Sequence, residues 1–306
     1  MSAELLLSKI RERRSPCCVE LDTAPGRIPA EFFEGQGGSM PEVYAQAAYR
    51  FNAAIIDAVS GTVPAALLRF SRYGVYGPAG AGVIRRTLDY ARSAGMYTIV
   101  EGWCVDSQEA AAASAEAFFG ETELSGAENA FSAYPTDALV ISAYPGSEVV
   151  KPFLRLCERH MLFIAVRSEA KSAFEVQELV AGDRALYRVM ASRTERWGAD
   201  TVGESGYSSV GAVVGGASER ALSELRSTCR RTFMLLTGYG TQGANIGEAV
   251  RRAFDREGRG ALVCLEASRM YASCLKRGGS GQECAKAVRS ALERSKREIA
   301  EYVTVL

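Results

Sequence analysis

Histidine is almost missing from this chain of 306 residues, and so are the patterns that build metal sites and catalytic triads. His160 is the single histidine, and no pair among the eight cysteines has the CxxC spacing. We therefore expect no zinc site, no other metal and no Ser-His-Asp hydrolase. The cysteines lie mostly in apolar segments, which is typical of buried free thiols in a large domain rather than of a disulfide scaffold.

Net charge and long hydrophobic runs are missing as well. The 36 basic and 36 acidic residues balance, so the chain has no electrostatic footprint for nucleic acid or for an anionic membrane. No apolar run approaches the roughly 18 residues of a membrane span. Residues 1–14 are charged and helical in pattern, without the apolar core of a signal peptide. We expect a cytoplasmic protein that binds neither nucleic acid nor membrane.

The sequence does have a regular alternation of strand-like and helix-like segments. Eight short apolar runs are each followed by a helix pattern, which indicates a parallel sheet covered on all sides. At this length, eight such units favour a (β/α)8 barrel of one domain, residues 1–306, over an open doubly wound sheet. The predicted strands are residues 17–21, 65–68, 97–100, 138–141, 162–166, 210–214, 233–236 and 261–265.

Helix patterns and two apparent insertions fill the segments between the strands. The first insertion, residues 22–40, is rich in glycine and proline, and the second, residues 121–136, precedes the fourth strand. Either insertion could cover a site. Besides an N-terminal helix, the predicted helices are residues 41–59, 79–93, 107–119, 147–159, 218–229, 244–255 and 281–303.

The carboxyl ends of the predicted strands carry the candidate site, because barrels of this class build their sites there. Strand alternation places Leu67 with Arg69, and Glu101 with Trp103, on common faces. An Arg69–Glu101 ion pair that only plugs the mouth of the barrel is the alternative, since buried charges are normally paired. The residues expected to point inward are Asp22, Arg69, Glu101 and Asp106, with Leu67 and Trp103 beside them.

The turn 238–243 is a candidate anion site. Its glycines, Gly238, Gly240 and Gly243, let backbone amides turn toward an anion, and Gln242 adds a side-chain donor. Loops after strands seven and eight often bind phosphate in such barrels.

These segments resemble the orotidine 5'-phosphate decarboxylases, in their longer bacterial branch, over nearly the whole chain. The resemblance rests on Val19-Glu20-Leu21-Asp22-Thr23 and on residues 51–58, 63–65, 146–153, 206–215, 238–243 and 258–263. It implies a (β/α)8 barrel that dimerises with its sites at the interface, and the reaction that ends de novo UMP synthesis. It also implies contacts with ribose, pyrimidine and phosphate for Asp22, Ser168, Glu169, Gly240, Gln242, Gly243 and, after a two-residue shift from Ala267, Arg269.

The chain departs from the family at both catalytic lysines. The family has Lys-Pro-Gln at the end of strand two and Asp-x-Lys-x-x-Asp after strand three, and the second lysine protonates the carbon that loses carbon dioxide. The two lysine positions hold Leu67 and Trp103 here, while the acids of the second motif are Glu101 and Asp106. Leu67 and Trp103 supply neither a proton nor positive charge, and the guanidinium of Arg69 is a poor proton donor at neutral pH.

We therefore expect a barrel that is inactive or nearly so as a decarboxylase and that acts as a ligand-binding, regulatory or partner subunit. One alternative is an enzyme that uses Glu101, Asp106 and Arg69 on another phosphorylated ligand, and another is a decarboxylase with a rebuilt site. The expected ligand is a phosphorylated nucleotide or sugar phosphate, without a cofactor. The resemblance implies a homodimer, or a heterodimer in which Asp106 completes the site of a true decarboxylase. Burial is expected to raise the pKa of an inward Glu101 unless Arg69 pairs with it.

Overall fold

Eight parallel strands close into a barrel in the computed structural model, which describes residues 2–102, 105–120, 131–215, 219–239 and 246–304. Strands that follow one another along the chain are neighbours in the barrel, and the last strand pairs with the first. The predicted single-domain (β/α)8 barrel is confirmed, and every strand bound lies within three residues of its prediction. The strands are β1 (Cys17–Leu21), β2 (Ala65–Arg69), β3 (Tyr97–Glu101), β4 (Ala138–Ile141), β5 (Met161–Arg167), β6 (Ser208–Gly215), β7 (Thr232–Tyr239) and β8 (Ala261–Glu266).

Helices cover the outside of the barrel. Two of the longest begin with a capping box, in which a serine and a glutamate three residues later satisfy each other's backbone amides: Ser39 with Glu42, and Ser280 with Glu283. The helices are α1 (Ser2–Arg13), α2 (Met40–Val59), α3 (Phe70–Gly74), α4 (Pro78–Ser93), α5 (Gln108–Phe119), α6 (Lys151–Leu154), α7 (Leu186–Trp197), α8 (Glu219–Thr228), α9 (Ile246–Ala253), α10 (Ala267–Lys276) and α11 (Gly281–Ala300). None of the described helices is long and apolar enough to cross a membrane.

The predicted helix 147–159 is wrong as a continuous helix. A 3-10 turn, Ser147–Val149, leads into the single turn of α6, and the chain then continues with tight turns. Amides there bond three residues back, for example Phe153 to Val150, Leu156 to Phe153 and Arg159 to Leu156. Pro152 has no amide N–H to donate, which favours such turns over a regular α-helix.

Side chains of alternating strand positions fill the barrel interior. Cys18, Leu67, Ile99, Phe163 and Phe233 are all buried in one apolar cluster inside the sheet. Helix α1 closes the amino-terminal end of the barrel, since Ala3, Leu6, Leu7 and Ile10 belong to the same cluster. A larger cluster packs the outer face of the strands against the helices. The carboxyl-terminal end of the barrel is therefore left for a site.

Two excursions of the chain lie at that end. The insertion 22–40 forms the 3-10 turns Pro25–Arg27 and Ala30–Phe33. A second excursion, after β5, contains a small antiparallel hairpin of Val180–Ala181 with Arg184–Ala185, which the sequence did not predict. Of the predicted insertion 121–136, residues 121–130 lie outside the described part of the chain.

Replacing Gly211 by alanine is expected to destabilise the barrel. A Cβ at Gly211 would lie 2.6 Å from the Phe163 ring and 2.8 Å from the carbonyl oxygen of Phe233 inside the packed interior. Such overpacking costs about 1–3 kcal/mol. In contrast, Gly82→Ala, in an exposed turn of α4 with no atom near its Cβ, should stabilise by up to about 1 kcal/mol. Urea unfolding of both variants measures the two opposite shifts, and a stable Gly211→Ala protein would contradict this packing.

Candidate functional site

A cavity of about 360 Å³ opens at the carboxyl ends of β2 to β7. Arg69 and Glu101, the last residues of β2 and β3, pair in register and form part of its lining. Ser142 follows β4, Glu169 follows β5 and Thr237 belongs to β7, and all three also line it. The ends of six of the eight strands therefore converge on one site.

Arg69 forms two hydrogen bonds with Glu20, a residue that the sequence analysis did not select. Arg69 Nε donates to Glu20 Oε1 at 2.6 Å, and Nη2 donates to Glu20 Oε2 at 3.2 Å. Arg69 Nη2 also lies 3.4 Å from Glu101 Oε2, so the predicted Arg69–Glu101 ion pair is present but is the longer of the two. Glu20 is almost fully buried and lies beside Leu67 in the strand register. The Arg69 guanidinium, at the mouth of the barrel, is thus fixed between two carboxylates.

Burial shifts the proton equilibria of this cluster. It raises the pKa of Glu20 to about 7, against the lowering effect of Arg69. Burial also raises the pKa of Glu101, although Arg69 acts to lower it, and the nearby charge of Glu169 adds to the rise. The pKa of Glu101 is thus raised even though Arg69 pairs with it, so the exception expected for such a pair does not hold. Burial acts to lower the pKa of Arg69, but its bond to Glu20 and the two carboxylate charges raise that pKa overall. Arg69 therefore stays protonated, while Glu20 is about half protonated at neutral pH.

Two residues that line the cavity carry buried polar atoms without a hydrogen-bond partner in the described part of the chain. These atoms are Glu101 Oε2 and Arg167 Nε. The outer Nη2 of Arg167 is occupied, because it donates to Glu178 Oε1 at 2.9 Å. An unsatisfied buried group costs about 1–3 kcal/mol. A ligand or water in the cavity that satisfied an acceptor and a donor would recover part of that free energy.

Ser168 and Glu169 reach the cavity as predicted, and two further residues hold them. The Ser168 amide donates to Gln177 Oε1 at 2.9 Å, and Gln177 Nε2 donates to Ser168 Oγ at 2.9 Å. Thr237 Oγ1 donates to Glu169 Oε2 at 3.0 Å. Gly238, with φ +81°, passes so close that a Cβ there would lie 2.9 Å from the Glu169 Cβ. Glu169 is thus packed against Gly238, near the end of β7.

Asp22 is buried, and its carboxylate is bonded to other residues of the chain. It accepts the Ser268 amide at 2.9 Å and the Ser268 hydroxyl, and Arg27 Nη1 lies 3.4 Å from its Oδ2. These contacts fix the first turn of α10 to the end of β1. Asp22 does not line the described cavity, so its contact with ribose stays a prediction.

Two other predicted site residues lie away from the cavity. Asp106 is exposed just before Ser107, the N-cap of α5, so its expected inward position is not observed in the single chain. The chain leaves β3 through Gly102, whose φ of +93° turns the backbone away from the strand direction. Arg269 is exposed on α10 and forms an ion pair with Glu266. Trp103, Gly240, Gln242 and Gly243 lie outside the described residues.

The lysine position of β2 belongs to the barrel interior. Leu67 is fully buried in the apolar cluster beneath Arg69. None of the six lysines of the chain, all of which fall within described segments, lines the cavity. Within those same segments, no group of three or more histidine, cysteine, aspartate or glutamate side chains is arranged to hold a metal ion.

The fold and this charged cavity define a (β/α)8 barrel with a ligand-sized site at its mouth. An orotidine 5'-phosphate decarboxylase of Rhodopirellula baltica is 30% identical to this chain over 263 residues, which are 85% of this chain and 85% of the relative. The enzyme of the same name from Caldicellulosiruptor saccharolyticus is 28% identical over 275 residues, 88% of this chain and 89% of the relative. The chain belongs to the orotidine 5'-phosphate decarboxylase family. No protein-family model matches it.

Solved structures show the same fold at low sequence identity. The orotidine 5'-monophosphate decarboxylase of Plasmodium berghei matches with a TM-score of 0.75 at 14% identity, over 97% of this chain and 99% of that one. The OMP decarboxylase of Leishmania donovani matches with a TM-score of 0.71 at 21% identity, over 97% and 99%. These structural similarities confirm the barrel fold. The chemistry has to be inferred from the residues at the mouth of the barrel.

The Glu20→Gln variant is expected to lose part of the pH dependence of stability. The folded protein holds the Glu20 proton up to about pH 7, whereas the unfolded chain releases it near 4.5, so wild type loses stability as the pH rises through this window. The loss is at most about 3 kcal/mol, and a glutamine does not titrate. Urea unfolding at about pH 5 and about pH 8 measures it. The exposed Glu109→Gln control should keep the wild-type dependence, and equal slopes for wild type and Glu20→Gln would refute the assignment.

Proposed function

We propose that this chain binds a phosphorylated nucleotide or sugar phosphate at the mouth of its barrel and decarboxylates orotidine 5'-phosphate poorly or not at all. One observation carries the proposal: the cation beside the lysine position of β2 is Arg69, committed to Glu20 and Glu101. Decarboxylation of this type leaves a carbanion, which needs a proton donor. Arg69 keeps its proton, and no lysine lines the cavity.

Ligand binding is supported by the cavity itself. Its volume lies at the lower end of the range expected of a small-molecule site, and its lining combines apolar walls with a few fixed polar groups. Ser168 and Glu169 are held in place by Gln177 and Thr237. The unsatisfied atoms of Glu101 and Arg167 would gain partners from a bound ligand. The turn 238–243, as in the resemblance, would bind the phosphate.

A repurposed enzyme is the second candidate, and Glu101 favours it. A half-buried carboxyl with a raised pKa, beside a fixed arginine and facing a cavity, has the environment of a general acid or base. Binding of several phosphorylated metabolites without turnover of any would count against this candidate.

Family membership alone keeps a working decarboxylase as the third candidate. The relatives that this chain matches carry that name, and their reaction would have to proceed here with Arg69 in place of the lysines. The loss of one general acid lowers a rate by about 10²–10⁴. In a mixed dimer, the exposed Asp106 would be available to complete the site of a decarboxylase partner, and a cytoplasmic location fits this pathway.

The first test measures turnover and binding on the same protein. With orotidine 5'-phosphate and a high concentration of the full chain, we expect no loss of substrate absorbance over hours. The same ligand and UMP should raise the melting temperature, and the shift should increase with the logarithm of the ligand concentration above the Kd. Absorbance loss that scales with protein concentration would establish the decarboxylase instead, and no melting shift with either ligand would exclude the proposed ligand class.

The variant Glu101→Gln is expected to bind orotidine 5'-phosphate about tenfold more tightly than wild type, a gain of about 1.4 kcal/mol. It removes a negative charge from the cavity and releases Arg69 from one carboxylate. UMP, which lacks the extra carboxylate, should gain less. Calorimetry on both ligands measures the difference, with the exposed Glu116→Gln as the matched control. An equal gain for both ligands would place the ligand carboxylate away from Glu101.

A further inference from the structure

A second cavity, of about 540 Å³, lies beside the amino-terminal ends of β4 and β5, at the other end of the barrel from the mouth. Its walls come from the last turns of α4 and α5 and from the turns that follow α6. Nothing in the proposed function involves this place. It is a concave site of its own, with a distinct set of side chains.

Three arginines converge on this cavity: Arg92, Arg155 and Arg159. No carboxylate of the described chain lies within ion-pair distance of any of them, unlike Arg69 and Arg167 at the mouth. Glu158 is the single acid in the described lining, and it forms no ion pair with them. The described lining therefore carries three positive charges against one negative charge.

A stacked aromatic pair lines the same cavity. The rings of Phe119 and His160 stack with centroids 4.5 Å apart and planes at 13°. His160 Nδ1 is 3.0 Å from the Thr136 carbonyl oxygen, so this nitrogen carries the proton and donates it. Burial lowers the pKa of His160, against the raising effects of the Thr136 hydrogen bond and the Asp137 charge, and the charges of Arg92 and Arg159 lower it further.

We propose that this cavity binds a small molecule that carries two or more phosphate groups. A guanidinium is planar and donates through a fork that matches phosphate oxygens, so three convergent arginines suit more than one phosphate. The neutral, stacked His160 and Phe119 provide a flat surface for the rest of the ligand. This second site would act independently of chemistry at the mouth.

The test uses inorganic pyrophosphate and the full chain. Isothermal titration calorimetry at low ionic strength should show saturable binding that weakens as salt is added. The double variant Arg155→Gln and Arg159→Gln should bind about tenfold more weakly or worse. Both positions are exposed, so the variant should keep the wild-type melting temperature, which is checked in parallel. No binding to wild type, or equal binding to the double variant, would overturn the proposal.

Two controls locate the bound pyrophosphate. Arg256→Gln, an exposed arginine elsewhere, and Arg167→Gln, which lines the cavity at the mouth, should bind like wild type. Loss of binding in Arg167→Gln with retention in the double arginine variant would assign pyrophosphate to the mouth and overturn the proposal.

Discussion

The arginine clamp formed by Glu20, Arg69 and Glu101 is the interaction on which the mouth of this barrel depends. A guanidinium at the end of β2 faces the inside of the barrel, where an unpaired charge would be strongly disfavoured. Glu20, on the neighbouring strand β1, accepts hydrogen bonds from both Nε and Nη2 of Arg69. Glu101, on β3, forms an ion pair with Nη2. Because strands β1, β2 and β3 are adjacent, this clamp also ties the mouth to the register of the sheet.

Because of the clamp, the groups of this site that gain and lose protons differ from those of a site built on lysines. Arg69 keeps its proton throughout the physiological range, while burial raises the pKa of Glu20 to about 7 and also raises the pKa of Glu101. Such a site can bind and orient a ligand, and its carboxyl groups can exchange a proton with that ligand. The Arg69 guanidinium, however, is a poor proton donor to a carbanion. The chain therefore has the barrel of its family, with an arginine held between two carboxylates at the mouth.

Hydrophobic periodicity was enough to predict the barrel, since all eight strands and most helices lie where the alternation places them. Strand alternation also predicted that Arg69 and Glu101 share the inner face. Glu20 was within reach of the same rule, because it lies two residues before Asp22 on a strand whose other face is apolar. Gln177 and Thr237 were not, since periodicity does not place the loop residue Gln177 against Ser168, and Thr237 is 68 residues from Glu169. The continuous helix 147–159 failed because apolar spacing cannot distinguish an α-helix from successive 3-10 turns around Pro152.

The most direct test of the clamp is a carboxyl ¹³C NMR titration of the glutamate side chains, with Glu20 assigned by its disappearance in the Glu20→Gln variant. The account predicts that the Glu20 carboxyl titrates at about pH 7 while the Arg69 Nε–H persists across the range. A Glu20 carboxyl that titrates below about pH 5, like an ordinary solvated glutamate, would contradict the buried clamp and the function inferred from it.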